Sequence, residues 1–291
     1  MRHNIFVPRT EIELFDFLES NGADSKLVSG ATDLLPRIRR GQEEATTIVD
    51  ISRLDSLRYV RREGEVIRVG ALSTLADLIS TEILGIEYEA FHKLELIFGS
   101  PPIRNVATVG GNVAASSSSE DLIPIFLTLD ANVSLKSARV ERVIPLAEFI
   151  RGKRETSRMN NEILAEVSFN DLRPDSWCTF EKIGRRERVI ISLVSLACAL
   201  RIDRRSRKVD DVRIALNRVR GKIPERVLET EGVLVGSDLS ESKLEEACET
   251  LESELSLTSD FRASAQYRTK VAKSILRESL AHCKHCIEME L

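Results

Sequence analysis

The chain has 291 residues, 42% of them hydrophobic and 30% charged, with a formal net charge of −4. That balance describes a globular protein of two or three modest domains, with no electrostatic reason to bind nucleic acid and no apolar run near the roughly 20 residues of a membrane span. The 5 cysteines, none before Cys178, argue against a secreted disulfide framework. The short apolar stretch after Met1 does not read as a signal peptide, so a cytoplasmic location is expected.

Residues 1–57 read β-α-β. Thr10 opens a capping-box-like helix start, and Ile12, Leu14, Phe15 and Leu18 are assigned to one helical face. Leu27-Val28 and Thr47–Ile51 are strand-like. Between them lies the turn Ser29-Gly30-Ala31-Thr32-Asp33, where Gly30 frees the backbone and Thr32 and Asp33 can cap a helix or hydrogen-bond a ligand. Arg37–Arg40 reads as a solvated helix end. Residues 58–175 open with a hairpin, Leu57–Val60 and Val66–Val69 around Glu63-Gly64, after which Ser73 or Thr74 caps a helix reaching Leu78.

Residues 99–130 carry the densest signal. Gly110 and Gly111 permit φ > 0 and close approach, so successive free amides at Thr108-Val109-Gly110-Gly111-Asn112 are expected to form a concave anion site suited to a diphosphate. Thr108, Asn112 and Ser116–Ser119 supply neutral hydrogen-bonding groups, and Asp121 an acceptor pair of the kind that grips ribose hydroxyls. Ile123–Leu129 reads as a buried helix or strand. Neither glycine turn has the G-x-G-x-x-G or P-loop pattern, which argues against a nicotinamide-binding domain.

Beyond a turn at Arg173-Pro174-Asp175, strands are expected at Trp177–Phe180, Val189–Ile202 and Val212–Leu216, with a solvated basic tip at Arg204–Lys208. Helices follow at Leu244–Leu255 and Ala263–Cys283, the second packing through Tyr267, Val271 and Ile275. The tail His282-Cys283-Lys284-His285-Cys286 has ligand-like spacing but no second ligand pair, and no metal site is expected there. No nucleophile–base pair or hydrolytic carboxylate pair stands out, as fits a protein whose cofactor carries the chemistry.

Ser29–Asp33 and Ile103–Val113, followed by Asp121 and Leu129-Asp130-Ala131, resemble the FAD-binding (medium) subunit of molybdenum hydroxylases, the family of xanthine dehydrogenase and carbon monoxide dehydrogenase. Glu162–Leu164, Phe180–Arg186 and Tyr267–Ala272 extend the resemblance over nearly the whole chain. It implies an α+β fold: a two-part FAD-binding domain (1–57 and 58–175), then a C-terminal domain (176–291) with a sheet covered by helices. By the same resemblance Val28, Ser29, Gly30, Ala31, Thr32 and Asp33 would wrap one side of the FAD diphosphate. Thr108, Val109, Gly110, Gly111 and Asn112 would wrap the other. Asp121 would bind ribose hydroxyls, Leu164 and Lys182 would lie at the flavin end, and Phe98 or Ile190 would cover a ring face.

The family usually carries Gly at position 31 and Pro at position 118, where this chain has Ala31 and Ser118. Ala31 would be strained if its φ were positive. In function, the resemblance implies that electrons pass from 2Fe-2S clusters of a small partner subunit through FAD to NAD or another acceptor. The substrate, xanthine in the first instance, would be oxidised at the molybdenum cofactor of a large partner subunit. Relatives with an extra iron–sulfur cluster in this subunit bind it through cysteines in the flavin domain, which this chain lacks. Two alternatives remain: a stand-alone FAD-dependent reductase of the same fold, and a flavin-free structural subunit.

Overall fold

A computed structural model describes residues 3–185, 192–217 and 224–289; Arg186, Val189 and Ile190 lie outside the described residues. Two compact units interleave along the chain. The first takes residues up to Ile83, Ser100–Ser116 and Ala131–Phe169; the second takes Leu84–Gly99, Ser117–Asp130 and everything from Asn170. The contiguous segments read from the sequence cut across this division, because two apolar helices near residues 90 and 125 pack on the late sheet.

In the first unit, β1 (Asn4–Phe6), α1 (Glu11–Asn21), β2 (Ser25–Val28), α2 (Leu34–Arg39) and β3 (Thr47–Asp50) form the expected β-α-β layer. Its parallel sheet has the order β1-β3-β2. Thr10 caps α1 by accepting from the Glu13 amide, and Leu14, Phe15 and Leu18 pack with Val49, Ile51 and Leu54. Ile12 is 73% exposed and does not share that face, since at 3.6 residues per turn it falls outside the arc of the other three.

The hairpin of β4 (Val60–Glu63) and β5 (Val66–Gly70) turns at Gly64, φ 60°. Thr74 then caps α3 (Leu75–Ser80) in a complete capping box with Asp77. Helix α4 (Glu89–Ile97) belongs to the second unit, and α5 (Pro101–Arg104) and α6 (Val109–Ala115) return to the first. After α7 (Leu122–Thr128) come β6 (Asn132–Lys136), β7 (Glu141–Pro145), α8 (Leu146–Phe149), the small β8 (Ile150–Gly152) and β9 (Glu155–Thr156) hairpin, and β10 (Ile163–Asn170). The resulting five-stranded sheet runs β4-β5-β10-β6-β7.

The second unit is built on an antiparallel sheet of β11 (Ser176–Ile183), β12 (Val194–Ile202), β13 (Val209–Asn217) and β14 (Glu225–Arg226). Helices α9 (Leu228–Leu234), α10 (Glu241–Glu254) and α11 (Ala265–Met289) follow. Ala272, Ile275, Leu276 and Leu280 of α11 share one core with Trp177, Leu196, Cys198 and Leu200, each large side chain contributing about 1.5–3 kcal/mol. Tyr267, expected in that core, is 48% exposed; the buried stripe runs through Arg268, Ala272, Ile275 and Ser279 instead. Every residue of α7 is buried, so the ambiguous apolar run is a helix inside the unit. Among the described residues no helix is long and apolar enough to cross a membrane.

Candidate cofactor site

The first glycine turn leaves the end of β2 and the second opens α6, and Gly30 crosses the Val106-Ala107 backbone that leads into it. A Cβ on Gly30 would lie 1.9 Å from the Val106 carbonyl oxygen, so only glycine permits the crossing. The hydroxyls of Ser29 and Thr108 meet at 2.8 Å. Thr108 Oγ1 also accepts from the Gly111 amide at 3.0 Å, capping α6. Both turns line a cavity of 330 Å³ whose other walls include Ser52, Asp55, Arg58 and Thr74.

The two turns differ in what they can offer an anion. Among the described residues the amides of Gly30, Ala31, Thr32 and Asp33 donate to no protein acceptor. Ala31 has φ 59°, so this non-glycine residue sits in the left-handed region at a cost of about 1–2 kcal/mol. A left-handed residue inside such a run turns successive amides to one side and makes a concave nest. The strain anticipated for Ala31 is therefore present, and it buys the shape of the turn.

The second turn is not a free-amide loop. Gly110 and Gly111 lie in the first turn of α6, and neither has a positive φ. Val109 N donates to Ser73 O at 2.9 Å, Gly110 N to Ala71 O at 2.8 Å and Asn112 N to Thr108 O at 3.0 Å. With the Gly111 amide on Thr108, all four donors are engaged within the protein. Gly110 is glycine for packing, since a Cβ there would lie 2.5 Å from that of Ala71. The serine run is likewise used internally: Ser116, at φ 43°, donates to Gly152 O at 2.7 Å, and the Ser117 and Ser119 hydroxyls pair at 3.0 Å.

Asp33 starts α2 without capping it by a side-chain hydrogen bond. Its carboxylate takes a two-pronged contact from Arg154, Nη1 to Oδ2 at 2.6 Å and Nη2 to Oδ1 at 3.0 Å. Sequence reasoning missed Arg154. The available signal was the Gly152-Lys153-Arg154 tip between two short strand-like pieces, a basic hairpin turn with no evident partner.

Val28 is buried at the end of β2, and Leu164 is buried in β10, paired in register with Leu135. In the second unit Lys182 Nζ donates to Asp121 Oδ2 at 2.6 Å, with side chains 4% and 3% exposed. The resemblance places these two residues at opposite ends of FAD; the structure makes them one buried ion pair. Burial pushes the Asp121 carboxyl up, against the charge and hydrogen bond of Lys182. Among the described residues Asp121 Oδ1 is buried with no hydrogen-bond partner. Phe98 ends α4, and Ile190 is outside the described residues. At the C-terminus Cys283 is buried in the core and His282 Nε2 meets Glu89 Oε2 at 2.8 Å. Among the described residues no three ligating side chains gather for a metal.

The donor set of the first turn fits the diphosphate of FAD: four amides unengaged among the described residues and the Thr32 hydroxyl, with the Asp33 carboxylate paired to Arg154. Comparison with known proteins identifies the domain, not the turn, as FAD-binding. Residues 1–169 match the family described as the FAD binding domain in molybdopterin dehydrogenase, and residues 179–283 match the CO dehydrogenase flavoprotein C-terminal domain. The chain is 29% identical to the nicotinate dehydrogenase FAD-subunit of Eubacterium barkeri, over 94% of this chain and 93% of that one. It is 26% identical to the xanthine dehydrogenase FAD-binding subunit of Escherichia coli O157:H7, over 91% and 90%. The fold is that of a chain in reconstituted CO dehydrogenase from Oligotropha carboxidovorans, with a TM-score of 0.92 at 24% identity over 98% of each chain.

Proposed function

The chain belongs to the FAD-binding family of molybdopterin dehydrogenases, and on that premise we propose that the turn Gly30–Asp33 holds the diphosphate of FAD in the electron-transfer subunit of a multi-subunit molybdenum hydroxylase. One observation carries the placement: four successive amides with no protein acceptor among the described residues, shaped by Ala31 at φ 59°. Val28 anchors the turn on β2, and Thr32 offers a hydroxyl. Thr108, Val109, Gly110, Gly111 and Asn112 act differently from the clamp that the resemblance implies. The amides of Val109, Gly110, Gly111 and Asn112 are engaged within the protein, and the Thr108 hydroxyl and the Val106 carbonyl form the wall against Ser29 and Gly30.

Bound FAD supplies the junction between one-electron and two-electron transfer. The residues of this chain bind and orient it, and the proposal requires no proton carrier among them. A molybdenum-cofactor large subunit and an iron–sulfur small subunit are the partners of this reading. A xanthine-type substrate, with NAD as acceptor, is its finer form; the likeness to the xanthine dehydrogenase FAD-binding subunit supports the substrate.

Purification tests both levels. The chain should be yellow and release FAD on denaturation; a folded, colourless chain that cannot be reconstituted overturns the flavin reading. Co-purification with a molybdenum-containing chain separates a subunit from a stand-alone reductase. Xanthine-dependent NAD reduction by that complex supports the finer form, and its absence with an active flavin removes it.

A further inference from the structure

We propose that Arg154, at the tip of the β8–β9 hairpin, is a positioning residue for the diphosphate turn: it neutralises Asp33 and ties that turn to the end of α6. The proposal rests on the reading that Gly30–Asp33 receives the diphosphate. Three contacts define the tie. The Arg154 guanidinium forks the Asp33 carboxylate at 2.6 and 3.0 Å, and Nη1 also donates to Ala115 O at 3.2 Å. The Arg154 amide donates to Ser116 O at 2.8 Å. Ser116 Oγ returns a bond to Gly152 O at 2.7 Å, closing the link between hairpin and helix end.

Charge gives this tie its role. Asp33 ends the run of unengaged amides, so its carboxylate belongs to the residue that closes the proposed anion site. An unneutralised carboxylate there would repel a diphosphate. Arg37 is a weaker counter-ion, with Nη1 at 3.6 Å from Asp33 and Nη2 committed to Glu43. Arg154 is thus the principal one. The Arg154 and Asp33 side chains are 27% and 39% exposed, a setting in which an ion pair adds little to folding stability. The fork is also specific to arginine, because a lysine ammonium is a point charge without the planar pair of donors. Arg154 itself has φ 65°, a left-handed conformation that its backbone and side-chain contacts hold in place.

The test uses the full-length apo chain, FAD binding read by flavin fluorescence and ADP as a competitor. Wild-type protein that binds neither FAD nor ADP sinks the diphosphate reading itself, before any variant is made. Given wild-type binding, Arg154→Ala should weaken FAD and ADP together by about tenfold or more, with the melting temperature little changed. Arg154→Lys should fall between. Adding Asp33→Asn to Arg154→Ala should restore most of the lost affinity, because the repelling charge is then gone. Unchanged ADP affinity in Arg154→Ala overturns the proposal. So does a loss that Asp33→Asn does not reverse, which would assign Arg154 to scaffolding of α6 alone.

Discussion

Ser29 Oγ and Thr108 Oγ1 lie 2.8 Å apart although their residues are 79 positions apart in sequence. That bond joins the end of a parallel strand to the cap of a short helix, and Thr108 serves both at once. Thr108→Val should cost about 1–2 kcal/mol, from the lost cap and the lost bridge, while Thr108→Ser should stay near wild type. Urea unfolding of the two variants measures the difference.

The glycines of the two turns should respond differently. Gly30→Ala drives a Cβ into the Val106 carbonyl, so the turns must separate; a loss of about 1–3 kcal/mol and of bound flavin is expected. Gly111 is exposed, and its Cβ would meet only the Thr108 and Ser29 hydroxyls at 2.8 and 3.3 Å. Gly111→Val should therefore keep the fold and weaken flavin retention. Flavin content set against melting temperature separates the two; unchanged flavin in Gly111→Val would remove the second turn from the site.

Ala31 offers the opposite sign. Glycine adopts φ 59° without the Cβ penalty but is freer when unfolded, so Ala31→Gly should stabilise by about 0.5–1 kcal/mol net. Ala31→Val should destabilise, its branched Cβ being poorly suited to that conformation. Thermal melts of the apo chain decide it, and a lower melting point for Ala31→Gly would contradict the strain.

The buried Asp121–Lys182 pair should be costly to break from one side. Lys182→Met leaves Asp121 without its counter-ion and should lose about 3–5 kcal/mol. Combining it with Asp121→Asn should recover much of that loss, since the stranded charge is removed. Equal stability of the single and double variants would show that the charge is tolerated unpaired.

Glu162 should shape the acid limb of stability. Arg142 donates to its two oxygens at 2.7 and 2.9 Å and holds its carboxyl below the ordinary 4.5. Between the folded and unfolded values the unfolded chain binds more protons, so stability rises with pH there. The contribution is complete above the unfolded value and lost as pH falls through the folded one. Denaturation midpoints between about pH 3 and 6 should fall less steeply for Glu162→Gln than for wild type.

The local chemistry of this chain was legible in its sequence. Thr10 and Thr74 cap the helices expected of them, Gly64 turns its hairpin, and the β-α-β layer forms from β-branched strands beside an amphipathic helix. The caps and the turn depend on neighbours within a few residues, and the layer on apolar periodicity, both of which the sequence displays directly. The motif around Thr108–Asn112 was also recognisable, but not what its amides do. Whether those of Val109 and Gly110 are free depends on Ser73 and Ala71, which fold against them from a distant strand end.

Tertiary structure alone decided the rest. It assigned Gly110 of α6 to packing and the unengaged amides to Gly30–Asp33. It also brought Arg154 to Asp33 across 121 positions, and joined Asp121 to Lys182 in one buried pair. The physical reason is common to all four. A hydrogen-bond donor or a charge has a role only once its partner is known, and these partners are brought together by folding, far apart in the chain.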